Sequence, residues 1–338
     1  MPHRVRIASS GREFTVEPGE TVLAAALRQG IVLPYSCRDG ACGTCKARIL
    51  SGAVDYGDYQ PKAMSEAERE SGYALLCQAV PLEDLEIEAR EIAAAGDIPI
   101  KILPCRVARM ERAADDVMIL HLKLPKTQRL QFLAGQYVEI LLAEGRRRSF
   151  SLANAPGDDE FLQLHVRHVP GGLFSDHVFR QMREKELLRI QGPFGAFFLR
   201  DEARRPAILV AGGTGFAPIK SMVEDAAATG DPRPMHLYWG ARAQRDLYMH
   251  DLAQMWARRI AGFRYTPVLS EPRRGDGWGG RTGFVHEAVF ADVPDLSMCE
   301  LYASGPPPMI EALRDQVPAH GLDPGRLFYD SFEYARDL

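Results

Sequence analysis

The chain has 338 residues, of which 46% are hydrophobic and 25% charged, with a formal net charge of -4. That apolar content excludes a disordered chain and is enough for two or three packed domains of about 100–200 residues each. No apolar run approaches the ~18 residues of a membrane-spanning helix.

From the N-terminus, residues 3–8 alternate as a strand does, and EFTVEPGETV offers a second strand closed by a Pro-Gly turn. TVLAAALRQG predicts a short helix with Thr21 as its N-cap and Gly30 as its stop. PYSCRDGACGTC follows, and then ARILSGAV, ALLCQAV and LEIEA predict three more strands, the domain ending near residue 93. Residues 1–95 carry ten Lys and Arg against fourteen Asp and Glu, and the rest of the chain balances at 31 of each. An acidic module of this kind binds nucleic acid poorly and suits docking to a basic protein face. MPHRVRIASSGREF holds no apolar segment of signal-peptide length, so the expected location is the cytoplasm.

The chemistry of this first domain lies in its thiols. Cys37, Cys42 and Cys45 stand in a C-x4-C-x2-C arrangement, with Cys77 31 residues further on. Four thiolates so spaced suit a [2Fe–2S] centre. Gly40, Ala41 and Gly43 leave room for the backbone to approach the bridging sulfides and to point N–H groups at sulfur. Tetrahedral zinc is the competing metal, but its usual pattern is two close pairs. Cys105 and Cys299 stand apart and are expected to be buried structural thiols. PYSCRDGACGTC with ALLCQAV resembles the cluster-binding segments of plant-type ferredoxins, over roughly residues 3–93. That resemblance implies a β-grasp-like fold.

AAAGDIP predicts a linker. Beyond it, from about 101 to 200, VMILHLKL, QYVEILL, FLQLHVRHV and LLRIQGP are short strands broken by Gly and Pro, with one helix at FSDHVFRQM. That pattern predicts an antiparallel β-barrel or sandwich. From about 205, PAILVAGG, MHLYWG, FRYTPVLS and CELYASGP alternate with helical stretches, which predicts a parallel α/β sheet. The fold expected is therefore a ferredoxin-like α+β domain (1–95), a flavin-binding β-barrel (101–202) and a nucleotide-binding α/β domain (205–338).

RRRSFSLAN and GGLFS together resemble the flavin-binding segments of the ferredoxin–NADP reductase superfamily. The resemblance implies that Arg148 pairs with a flavin phosphate and that Phe150 lies along the ribityl chain and ring. It also implies that Ser151 sits near flavin N5, with Asn154 in the same segment. Gly171, Gly172 and Ser175 then let the second loop approach a pyrophosphate through backbone N–H groups, which favours FAD. Gly212, Gly213, Thr214 and Gly215 join a strand to a helix, where phosphate can meet backbone N–H groups, although this is not the G-x-G-x-x-G pattern. Ala217-Pro218 and YASGPPPM resemble the nicotinamide-binding segments of the same superfamily, assigning Gly305, Pro306 and Met309 to that site. The superfamily usually has Cys where this chain has Ser304, which implies an altered rate of hydride transfer. In YDSFEY, Asp330 and Phe332 match a terminal acid and aromatic, the aromatic covering the flavin face until nicotinamide displaces it. The alternative for Phe332 is a core position on a final strand.

Taken whole, the chain resembles the three-domain reductases that feed bacterial multicomponent oxygenases, and also the reductase acting on a CDP-6-deoxy-glucoseen intermediate in 3,6-dideoxyhexose synthesis. The resemblance implies a monomer that passes electrons from NADH to FAD, to the cluster and to a partner protein, either an oxygenase component or a dehydratase. Cys42 and Cys45 lie on the loop expected to face that partner. NADH is preferred over NADPH, with Arg242 and Arg245 as the residues that would meet a 2′-phosphate. An alternative of another class, a non-catalytic redox-sensing module, conflicts with the intact glycines and thiols.

Overall fold

In the computed structural model, which describes residues 1–96, 98–201, 204–272, 275 and 277–333, the chain forms two compact units. The first is Met1–Pro99 with Phe194–Ala196 and Glu333, and the second is Ile100–Pro193 with Phe197–Phe332. Among the described residues no helix is long and apolar enough to cross a membrane.

The first unit is built on a five-stranded sheet in the order Glu13–Val16, His3–Ile7, Leu85–Glu88, Lys46–Ser51, Tyr73–Leu75. His3–Ile7 runs parallel to Leu85–Glu88 and antiparallel to Glu13–Val16. Alternation decides which side faces in. Val5 and Ile7 are buried, while Arg4 and Arg6 turn outward to Asp84 and Glu86 at 3.2 and 3.3 Å. The helix Val22–Arg28 buries Val22, Leu23, Ala25 and Ala26, and the Thr21 side chain accepts from Ala24 N, as a capping residue does. ALLCQAV is not one strand: Tyr73–Leu75 ends before Cys77, which sits in the turn leading to Val80–Pro81. Part of the expected linker is helical, over Ala93–Gly96; Asp97 lies outside the described residues.

The second unit holds two sheets. Six strands run in the order Arg147–Ser151, Tyr137–Leu141, Leu187–Phe194, Lys101–Ala114, Val117–Lys123, Leu162–Arg167, antiparallel in the first pair and in the last three. The two edges meet at a Leu152–Leu164 bridge. The long strand Lys101–Ala114 escapes a reading by apolar runs, because its buried positions alternate with exposed ones and its register slips between Val107 and Arg109. The second sheet has six strands in the order Arg281–Thr282, Phe263–Leu269, Met235–Ala241, Ala207–Gly212, Glu300–Gly305, Leu327–Ser331, every adjoining pair parallel. In Ala207–Gly212, Leu209 and Ala211 enter one apolar cluster while Ile208 and Val210 enter another. Both faces of this sheet are therefore covered, which is why PAILVAGG reads as a continuous apolar run. Cys105 is buried as expected; Cys299, just before the strand Glu300–Gly305, is only half-buried, which corrects the expectation for it.

Candidate active site

The cysteine loop is made by its backbone. Arg38, Gly40 and Gly43 take φ of 59°, 66° and 79°, the left-handed region. A Cβ at Gly40 would lie 2.8 Å from the Asp58 carbonyl oxygen, and one at Gly43 2.7 Å from that of Ala63. Gln60 N–H donates to Gly40 O at 3.0 Å and Leu76 N–H to Cys45 O at 3.1 Å, tying the loop to its neighbours. Asp39 N–H points at Cys37 Sγ at 3.4 Å, Gly40 N–H at Cys77 and Thr44 N–H at Cys42.

The four thiols associate as two pairs. A hydrogen bond with Cys37 pulls Cys42 down to about 6 and pushes Cys37 up; a hydrogen bond with Cys45 likewise lowers Cys77 and raises Cys45. Among the described residues no three His, Cys, Asp or Glu side chains converge as the ligands of one metal ion. Two thiol pairs with N–H groups aimed at sulfur fit a two-iron centre, two ligands to each iron, better than one tetrahedral zinc.

On the flavin side, Arg148 and Phe150 share one face of the strand Arg147–Ser151, while Arg147 turns the other way to Glu139 (3.1 Å) and Gln191 (2.8 Å). Phe150 packs on Phe174, ring centroids 5.2 Å apart, and so joins the first flavin segment to the helix Leu173–Arg180 of the second. That helix follows Gly172 without a side-chain cap, which leaves N–H groups at its start for an anion. The Ser175 hydroxyl has another task. It donates to Val169 O (3.0 Å) and accepts from Val169 N–H (3.1 Å), closing the turn, and a Cβ at Gly172 would strike it at 2.6 Å. Asn154 is likewise spent within the protein: Nδ2 donates to Ala155 O and Asp158 O, and Oδ1 accepts from Gln163 N–H.

Ser151 Oγ lies 3.5 Å from Asp330 Oδ2 across 179 residues of sequence. Asp330 is the register partner of Ser304 in the parallel sheet. Three of the four residues expected to be catalytic are thus gathered by the meeting of the two sheets. Ser304 is wholly buried, and its hydroxyl has no hydrogen-bond partner among the described residues. Phe332 N–H donates to Gly305 O at 2.9 Å, so the segment after Asp330 stays aligned on that strand's end.

The nucleotide loop is packed more tightly than phosphate binding alone requires. A Cβ at Gly212 would lie 2.7 Å from Pro306 Cδ and 2.8 Å from Met309 Sδ. At Gly215 it would lie 1.9 Å from Ser304 O, and at Gly305 2.9 Å from Gly212 O. The helix Phe216–Thr229 that follows has no side-chain cap. These glycines therefore let two strand ends close on each other, a demand that reading the loop as a phosphate cradle did not include. Trp239 Nε1 donates to Gly213 O at 3.0 Å and stacks on Phe216 at 3.9 Å, which steadies the loop from behind.

The sequence reading missed two features here. Arg167 sits against Gly213, its guanidinium 2.7 Å from where a Cβ would be, and Asp116 accepts from it at 2.9 Å. Nothing in the sequence marks that pair. Arg242 meets the same Asp116 at 3.4 Å and Asp246 at 3.6 Å, and Arg245 meets Asp246 at 3.8 Å. The second feature is Lys220 with Ser221, both buried on the Phe216–Thr229 helix. A lysine inside the apolar stretch FAPIKSMV was the available signal.

A two-iron thiol loop on one unit, with a flavin-type sheet and a glycine-lined nucleotide loop on the other, defines a redox protein of the electron-transfer class. Comparison with known proteins agrees segment by segment. Residues 5–82 match the 2Fe-2S iron-sulfur cluster binding domain, 104–199 the oxidoreductase FAD-binding domain and 209–315 the oxidoreductase NAD-binding domain. The chain is 41% identical to the CDP-6-deoxy-L-threo-D-glycero-4-hexulose-3-dehydrase reductase of Yersinia pseudotuberculosis, covering 98% of this chain and 99% of that one. It is 36% identical to the phenol 2-monooxygenase reductase component DmpP of Pseudomonas sp. (strain CF600), over 100% and 96%. The crystal structure of the Amycolatopsis cytochrome P450 reductase GcoB superposes with a TM-score of 0.80 at 36% identity, covering 98% of each chain. The chain belongs to this family of reductases, which join a ferredoxin domain to FAD- and NAD-binding domains. It is an NAD(P)H-dependent oxidoreductase whose cofactors are a [2Fe–2S] cluster, FAD and NAD.

Proposed function

We propose that the protein is an NADH-dependent reductase that delivers single electrons to a separate partner protein, in the first instance an oxygenase component. The observation that carries this reading is the convergence of Ser151, Asp330 and Ser304 beside the nucleotide loop, in a chain that also presents four paired thiols. When bound, FAD exchanges two-electron for one-electron chemistry and the cluster carries electrons singly. The chain's own residues divide the remaining work. Cys37 and Cys42 would hold one iron, Cys45 and Cys77 the other. Arg148 would offer a guanidinium fork to a flavin phosphate, and the N–H groups after Gly172 would receive the pyrophosphate. Phe150 would pack along the flavin. Asp330 would orient the Ser151 hydroxyl toward the flavin's reacting edge. Gly212–Gly215 would bind the nucleotide phosphates, and Ser304, Gly305, Pro306 and Met309 would line the nicotinamide side. Phe332 would cover the flavin face.

NADH is the preferred donor because Arg242 and Arg245 are each met by a carboxylate, Asp116 or Asp246. A 2′-phosphate would have to compete with both. We further read the first six-stranded sheet of the second unit as a closed antiparallel barrel, the first unit as a β-grasp, and the boundaries as 1–95, 101–202 and 205–338. The partner docks near the Cys42–Cys45 loop of a cytoplasmic monomer.

A second acceptor, a deoxysugar dehydratase, is favoured by the 41% identity to the hexulose dehydrase reductase; the likeness to the phenol 2-monooxygenase reductase component favours an oxygenase. Reduction of each purified acceptor by the protein with NADH separates the two. Cys77→Ser tests the division of labour. It should abolish the cluster's visible absorbance and electron delivery to the acceptor while sparing NADH–ferricyanide turnover, since ferricyanide takes electrons from flavin directly. Loss of ferricyanide turnover in that variant overturns the scheme.

A further inference from the structure

The helix Phe216–Thr229 grows directly out of the nucleotide loop, and in its second turn two side chains reach back to the flavin-side sheet. Ser221 Oγ donates to Asn154 O at 2.7 Å, and Lys220 Nζ donates to Ala153 O at 3.1 Å and pairs with Glu224 at 2.7 Å. Both residues are buried, Ser221 completely. Ala153 and Asn154 directly follow Ser151 and Leu152, the end of the flavin segment. The loop from which the helix starts is itself wedged: Gly215 against Ser304, Gly305 against Gly212. Nucleotide loop, helix start and the Ser304–Pro306 strand end are therefore packed as one body. Lys220 and Ser221 attach that body to the backbone beside Ser151.

A buried ammonium is retained only where it is hydrogen-bonded and paired. An apolar residue would fill the same space without desolvating a charge. The cost of burying Lys220 thus points to a requirement for these bonds and not for bulk. Neither side chain lies among those that the nucleotide loop or the flavin strand presents. Both act through the main chain on either side.

We propose that Lys220 and Ser221 are positioning residues that set the approach of nicotinamide to flavin by clasping the Ala153 and Asn154 carbonyls. This rests on the reading of Ser151 and Gly212–Gly215 as the two halves of the hydride-transfer site. A displacement of about 1 Å between reacting groups costs about 10²-fold in rate. Loosening the clasp should therefore slow transfer without weakening capture of either cofactor.

The test uses the FAD-loaded protein, with Lys220→Met, Ser221→Ala and Lys220→Arg beside the unaltered chain. Rapid-mixing measurement with saturating NADH should show the limiting flavin-reduction rate falling about tenfold to a hundredfold in Lys220→Met. The long-wavelength charge-transfer absorbance of stacked nicotinamide and flavin should weaken in step. The NAD⁺ dissociation constant, read from Trp239-region fluorescence, should shift less than about twofold, and Lys220→Arg should recover most of the rate. Should Lys220→Met fail to fold, Ser221→Ala decides, since it removes one hydroxyl. Unaltered limiting rates and charge-transfer absorbance in the folded variants overturn the proposal. So does a loss seen only as weaker NAD⁺ or FAD binding. Failure of the unaltered protein to reduce its flavin with NADH would instead overturn the underlying reading.

Discussion

At Gly43, in the cysteine loop, φ is +79°, and at Gly215, in the nucleotide loop, it is -57°. The first is a backbone that only glycine adopts at little cost; the second is ordinary helical backbone open to any residue. Gly215 is needed because a side chain there would enter the Ser304 carbonyl. One loop is small-residued because of how its own chain must turn to gather thiols. The other is small-residued because a strand end some 90 residues away packs on it. The first requirement travels with the local motif and the second with the assembled sheet.

The largest effect expected from this difference is at Gly215. Gly215→Ala should destabilise the second unit by about 3 kcal/mol, as overpacking against backbone does, and should abolish NAD⁺ binding. Urea unfolding followed by flavin fluorescence measures it, and the iron and sulfide content should stay unchanged. Gly43→Ala should do the converse. The left-handed backbone alone costs about 1–2 kcal/mol, with the Ala63 carbonyl 2.7 Å away adding to it. Iron and acid-labile sulfide should fall while NADH–ferricyanide turnover persists. If either substitution damages both regions equally, the distinction between the two loops is wrong.

Acid should also separate the regions. In the second unit, His165 is buried, its Nδ1 2.8 Å from the Tyr248 hydroxyl, and burial holds its ring well below the usual imidazole range, with Lys220 adding to the effect. Burial, with Arg264 adding, brings His236 down to about 4. Both remain neutral when folded, while the unfolded chain's histidines take up protons below about pH 6.5. The unfolded state then binds more protons, so stability falls as pH drops from about 6.5 towards 4, by up to about 1.4 kcal/mol per pH unit for each histidine. Above that window these groups contribute no slope. Residues 1–95 contain one histidine, His3, and it is half-exposed. Urea midpoints at pH 7 and pH 5 should thus converge for the cluster signal and separate for the flavin signal. His165→Gln should flatten the latter.

The smallest effect expected has the opposite sign. Ser304→Ala removes a buried hydroxyl that has no partner among the described residues, and should leave stability unchanged or raise it by up to about 1 kcal/mol. A matching fall in the rate of flavin reduction would show that the hydroxyl is kept for nicotinamide. An unchanged rate would remove Ser304 from the site.

The spacing of Cys37, Cys42, Cys45 and Cys77 was legible because the left-handed turns and small residues that gather three of these thiols lie within nine positions. The strand–loop–helix at Ala207–Thr229 was legible for a similar reason, since apolar strand, glycines and helix follow one another along the chain. The side-chain bonds of Asn154 and Ser175, which close the turns on which these residues stand, were not legible, because nothing in the local pattern marks them. What local sequence determined here is therefore each loop's capacity: thiol spacing, backbone freedom, phosphate-binding N–H groups. What the tertiary structure alone decided is which distant groups meet, namely Ser151 with Asp330, Gly215 with Ser304, Arg167 with Asp116, and Lys220 and Ser221 with the Ala153 and Asn154 carbonyls. A motif is set by torsions and spacings within a few residues, whereas those meetings depend on strand order and packing over 50 to 180 positions, which no short pattern encodes.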